Sequence, residues 1–147
     1  MTRHREIAYA LLRITLGVVF LFSGIGKFRA GVGNVAGSML QQFSGKLPAV
    51  LVQPFAYVLP FAETVLGALI VLGLFTPLAL SFSGLLLVAL TFGTVMSSEF
   101  PTVAHNTQYG LVNFVLLWLC DLNKVSVDWV IGRRKPAVDL SSNRDAK

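Results

Sequence analysis

At 147 residues the chain has room for one compact domain, and it is 54% hydrophobic but only 13% charged, about half the charged share of an ordinary soluble domain. Its 12 basic and 7 acidic residues leave a net charge of +5, but the basic residues are split among the flanks of apolar runs, which argues against a soluble fold and against a nucleic-acid surface. What remains is a protein built for the lipid bilayer.

The first apolar run covers residues 7–25, behind Arg3 and Arg5. A signal peptide is the rival reading, but Arg13 interrupts the run, its length exceeds a signal core, and Lys27 and Arg29 stand where a small-residue cleavage site belongs. The segment is therefore expected to stay. In the connection that follows, GVGNVA at 31–36 matches the spelling of a dinucleotide loop, but it follows a membrane run instead of a strand and no acid lies about 20 residues on. Val35, Met39, Phe43 and Leu47 recur there at helical spacing among polar residues, which predicts a short interfacial helix ended by Pro48.

The second run, 52–74, holds Pro54, Pro60 and a lone acid, Glu63. Pro60 is expected to kink that helix just before Glu63. Gly73, Thr76 and Pro77 then predict a tight turn into the third run, 78–98, where Ala89, Gly93 and Ser97 form a small-residue stripe expected to mark its closest helix contact. The fourth run is thinner: Tyr109 to Cys120 is apolar apart from Asn113 and reaches membrane thickness only if His105 to Gln108 belong to it, giving 105–122. A polar tail, 123–147, closes the sequence. Because lipid leaves backbone amides no outside partner, the runs are expected to be helices. The fold predicted is all-α, a four-helix transmembrane bundle with a short interfacial helix between the first two spans.

Four spans put both termini on one side, with Arg3, Arg5, Lys124, Arg133, Arg134 and Lys135 against Lys27, Arg29 and Lys46 opposite. The positive-inside rule makes that side cytoplasmic.

Cys120 is the only cysteine, and His4 and His105 fall on opposite membrane sides, so neither an internal disulfide, a CxxC pair, a metal centre nor a haem is expected. A self-contained redox enzyme does not fit. The polar residues within the spans carry the interest. Measured from the ends of their runs, Arg13 and Glu63 differ in depth by about one helical turn, and they are expected to pair, with Asp121 a rival partner for Arg13. Two readings stay open: a clamp locking two helices, or the border of a polar pocket with Phe20, Phe61 and Leu66 as apolar walls. Asn113 is expected to hydrogen-bond between helices.

LRITLGVVFLFSGIGKF at 12–28, ETVLG at 63–67 and LGLFTP at 72–77 together resemble the DoxX family, with a weaker match in Val125-Ser126-Val127-Asp128; Pro77 departs from the basic residue many members carry. The resemblance implies a four-helix membrane protein whose relatives include the membrane part of thiosulfate:quinone oxidoreductase and membrane partners of oxidative-stress enzymes. By family position it carries over Arg13, Glu63 and Asp128. The expectation is a bacterial-type inner-membrane subunit of a redox complex, with other membrane or redox proteins as partners and a quinone as the candidate small molecule. A non-catalytic scaffold is the alternative, and a small transporter is disfavoured because no internal repeat is visible.

Reporter fusions test the orientation. A fusion at Lys147 should behave as cytoplasmic and one near Gly45 as external; an external Lys147 reporter would refute the four-span topology.

Overall fold

A computed structural model describes residues 2–133. It contains α1 (Thr2–Ala30), α2 (Val32–Gln42), α3 (Ala49–Leu72), α4 (Thr76–Met96), α5 (Phe100–Trp118), a single 3-10 turn (Cys120–Leu122) and α6 (Val127–Arg133), with no strand among the described residues. Arg134, Lys135 and the rest of the expected polar tail lie outside those residues.

α1, α3 and α4 are each long and apolar enough to cross a bilayer. α5 begins at Phe100, earlier than the sequence suggested, so His105 to Gln108 fall inside it. Its 19 residues reach about 28 Å at 1.5 Å per residue, close to the hydrocarbon thickness. These four helices form the bundle, and Leu16, Phe20, Ile70, Leu80, Leu87 and Leu116 are buried at its centre. Phe22, Leu85, Val88, Phe92 and Phe114 stay exposed on the outside, as expected where acyl chains replace water.

α1 and α3 run antiparallel in close backbone contact. A Cβ on Gly17 would stand 2.8 Å from Val71 N, one on Gly24 2.7 Å from Thr64 N, and one on Gly67 2.7 Å from Leu21 Cα. Those contacts are with backbone, which cannot swing aside, so each position must be glycine for the helices to meet at this distance. Lipid supplies little hydrophobic force between helices, and such close van der Waals approach is what holds a pair together there.

The α4–α5 hairpin is joined differently. Asn113, buried on α5, donates from Nδ2 to the Leu80 carbonyl at 3.0 Å and accepts from Ser83 Oγ at 2.8 Å. Its amide lies over Gly84, where a Cβ would come within 2.8 Å of Nδ2. The interhelical role expected of Asn113 is thus observed, and α5 is the helix most closely applied to α4. The Ala89, Gly93 and Ser97 stripe does not mark that contact. Gly93 instead makes room for the ring of Phe43, whose Cζ would sit 3.2 Å from a Cβ there, and Ser97 Oγ bonds back to the Gly93 carbonyl.

α2 ends at Gln42, with Phe43 as its C-cap. Pro48 does not end it; it stands at the N-cap of α3, where the missing amide hydrogen costs no helical bond. α3 then runs through Pro54 and Pro60 as one helix.

Gly67→Leu should destabilise the bundle by about 1–3 kcal/mol or prevent its assembly, because the added carbons meet the backbone of α1. Gly26, with open space around it, supplies the contrast: Gly26→Ala should be neutral or raise stability by up to ~1 kcal/mol. Thermal unfolding of both variants in detergent checks the pair.

Candidate functional site

Two polar layers cross the bundle, and the α1–α3 register decides which residues enter each. Gly17 meets Val71, and Gly67 meets Leu21. Continuing the register brings Arg13 level with Gly73, whereas Glu63 falls level with the last turns of α1. Arg13 and Glu63 are therefore about ten residues apart along the bundle axis, on the order of 15 Å. The expected Arg13–Glu63 pair is absent. The sequence reading measured both depths from run ends taken as level, but α1 starts at Thr2 and overshoots the end of α3.

The first layer lies at the end of the bundle that carries the amino terminus. α3 stops at Gly73, whose φ of 66° is left-handed, and Leu74 N returns to the Leu69 carbonyl at 3.0 Å, as in a Schellman motif. A side chain at Gly73 would also collide with the Arg13 guanidinium. Arg13 donates to Asn123 Oδ1 and to the Val125 carbonyl, each at 3.0 Å. Asn123 Nδ2 in turn donates to Thr76 Oγ1 at 2.8 Å, and that hydroxyl donates to Asp128 Oδ2 at 3.0 Å. Asp128 also accepts the Phe75 and Thr76 amides at 2.8 and 2.9 Å. It therefore caps α4 from a distant segment, with its negative charge at the positive end of the helix. Arg13 Nε is buried without a partner. Asp121, proposed as a partner for Arg13, is exposed in the 3-10 turn and takes no part. Nearby, Lys124 pairs with Glu6 at 3.0 Å in a largely exposed bridge of little energetic weight.

The second layer surrounds Glu63, which is 4% exposed. Lys27 Nζ stands 2.6 Å from Glu63 Oε2 and donates to Ser23 Oγ at 2.8 Å; Ser23 Oγ donates to the same carboxylate oxygen at 3.2 Å. Lys27 and Ser23 are four residues apart, so α1 presents them on one face. Ser23 and Glu63 border a cavity of about 70 Å³ with apolar walls from Phe20, Leu87 and Leu90 and a polar rim completed by Asn106 and Tyr109. Glu63 Oε1, the Asn106 amide and the Tyr109 hydroxyl make no hydrogen bond with the described residues. Of the apolar walls expected, Phe20 is present, while Phe61 is exposed and packs edge-on against Phe28 with ring centroids 4.8 Å apart.

Glu63 and Asn113 thus occupy interior positions as expected, and Arg13 and Asp128 meet in one network, but Lys27, Ser23, Asn106, Tyr109 and Asn123 went unnoticed. Lys27 enters the sequence reading as a flanking charge and as part of the family-like segment, not as a partner of Glu63. Its spacing from Ser23 and the Gly17 and Gly24 pattern were the signals that could have placed it opposite Glu63. Among the described residues no group of three His, Cys, Asp or Glu side chains is placed to hold a metal ion. The arrangement can accept and donate hydrogen bonds to a polar group within the membrane, and it sets a lysine against the buried carboxylate there.

Fold and site together define a small multi-helix membrane protein with a charge-paired polar cavity inside its bundle. The chain belongs to the MauE family, described as methylamine utilisation protein MauE, whose model matches residues 5–101. The match covers α1 to α4, including Ser23, Lys27 and Glu63, and ends before the α5 residues of the cavity. No curated protein and no solved structure matches the chain.

Lys27→Met alone strands the Glu63 carboxylate and should lower stability by about 3–5 kcal/mol less any relief from solvent reaching Lys27, whereas Lys27→Met with Glu63→Leu should recover much of the loss. A double-mutant cycle on thermal unfolding measures this, and additive losses would refute direct coupling.

Proposed function

We propose that this protein is a membrane component of a redox system for methylamine utilisation, lying in a bacterial-type inner membrane with both termini cytoplasmic, and that partner proteins carry the redox centres. Its own contribution is to seat the headgroup of a lipid-soluble quinone beside Glu63. One observation carries this reading. A buried carboxylate, neutralised at one oxygen by Lys27, keeps its other oxygen unbonded beside a cavity that also holds an unbonded amide and an unbonded phenol. In lipid, polar groups left unmatched are costly, and a ligand with a polar head would match them.

The family description supports the methylamine connection, and the resemblance of the first two spans and the turn after them to the DoxX family supports a redox setting. With one cysteine and two histidines, whose positions on α1 and α5 lie about 24 Å apart along the axis, electrons have to be handled elsewhere. The clamp reading rests on the one-to-one Lys27–Glu63 pair. Against it, the glycine contacts already hold α1 to α3, so the pair is not needed to join them.

Glu63→Gln in native membranes separates the two. The amide keeps the shape but loses the charge-assisted bonds, worth ~1.5–3 kcal/mol, so quinone-linked methylamine oxidation should fall by about tenfold or more while the protein still assembles with its partners. Unchanged turnover with intact assembly would refute the quinone role and favour the scaffold.

A further inference from the structure

A groove of about 790 Å³ runs along the outside of the α4–α5 hairpin, lined almost wholly by apolar side chains, among them Val88, Phe92, Leu111 and Phe114. These four are all more than half exposed, so the groove faces the acyl chains. Gly84 and Gly110 form part of its lining, and around Gly110 a Cβ would find nothing within 4 Å. Leu87 and Asn106 line both this groove and the Glu63 cavity. The apolar groove on the lipid side and the polar chamber inside the bundle therefore lie on either side of those two side chains.

From this shared wall we infer that the cavity is reached sideways from the lipid, past Leu87 and Asn106, and that its ligand is a single-chain amphiphile with a neutral hydroxyl head: the chain lies in the α4–α5 groove and the head sits at Glu63. The inference rests on the reading of the Glu63 cavity as a ligand site. The chemistry of the head follows from the unmatched atoms. Glu63 Oε1 can only accept, so the ligand must donate; the Tyr109 hydroxyl and the Asn106 amide can donate to the same head. A hydroxyl does both. An oxidised quinone offers only carbonyl acceptors and leaves Glu63 Oε1 unmatched, so the reduced form, a quinol, is favoured over the quinone. The Lys27–Glu63 pair is neutral as a whole, so a charged head of either sign would bring an uncompensated charge into the membrane interior. An acylglycerol shares the hydroxyl chemistry, and the test tells the two sources apart.

The full-length protein in nanodiscs is titrated with decyl benzoquinol under reducing conditions, with decyl benzoquinone and with a monoacylglycerol; a diazirine on the decyl chain marks where the chain lies. The quinol should bind most tightly and its chain should label Val88 or Leu111. Gly110→Leu, which fills the groove, should weaken binding at least about tenfold, while Gly110→Ala should not. Thermal unfolding confirms that both variants are folded. If Glu63→Gln abolishes binding and Gly110→Leu leaves it intact, lateral access is refuted and the cavity reading survives. If no probe binds saturably, both fall. Equal binding of monoacylglycerol and quinol supports the hydroxyl site but overturns its quinol identity. Crosslinks joining Val88 or Leu111 of two copies would make the groove a subunit contact and overturn the inference.

Discussion

The approach of α1 to α3 at Gly17, Gly24 and Gly67 is the constraint from which the rest of the bundle follows. Outside water, helices are not driven together by their apolar faces, so this backbone contact and a few interhelical hydrogen bonds carry the association. Glycine contacts also set register, because a side chain one turn along would have no room. That register brings Arg13 beside the end of α3 and Glu63 beside Ser23 and Lys27. A slip of one turn would separate both sets of partners at once, so the packing and the electrostatics of the chain specify the same alignment.

The two polar layers differ in what they leave unmatched. At the amino-terminal end, Arg13, Asn123, Thr76 and Asp128 pass hydrogen bonds from one to the next and finish on the backbone of α4. Among the described residues, Arg13 Nε is the buried side-chain atom left without a partner, and Arg13 is not in the lining of the Glu63 cavity. This layer is closed and structural. The Glu63 layer pairs its charges but leaves an acceptor and two neutral polar groups without a protein partner beside a cavity. Groups of this kind are retained in a membrane interior when something meets them there.

The helices and their order were legible because lipid imposes one requirement on every span, and a run of apolar residues about 20 long answers it directly. The interior position of Glu63 and the bridging role of Asn113 were legible for the related reason that polar groups inside a span turn toward other helices. Pairing was not legible. Which residue faces Glu63 depends on the axial offset of two helices, and run boundaries fix that offset only to a turn or two; the glycines, which do fix it, were read only as part of a family pattern. The Asn123 and Thr76 bridge was hidden for another reason: it joins segments 47 residues apart through a loop, and no periodicity records such a contact. The small-residue stripe on α4 misled because smallness signals close approach without naming the neighbour, which here is the ring of Phe43.

Asp128 and Asn123 have a further bearing on how the protein is made. Arg13 enters the membrane with the first span, but the groups that satisfy it, Asn123 and Val125, follow 110 and 112 residues later. At about 5–20 residues per second, that is a delay of roughly 5–20 s. Throughout that interval the guanidinium has no protein partner and must draw on water or lipid headgroups at the membrane surface. A shorter delay, of 52 residues, leaves the Thr76 amide of α4 uncapped until Asp128 emerges. The first helix to be synthesised is therefore among the last to settle at its final depth, and the segment after α5, though it crosses no lipid, completes the insertion of the spans made before it.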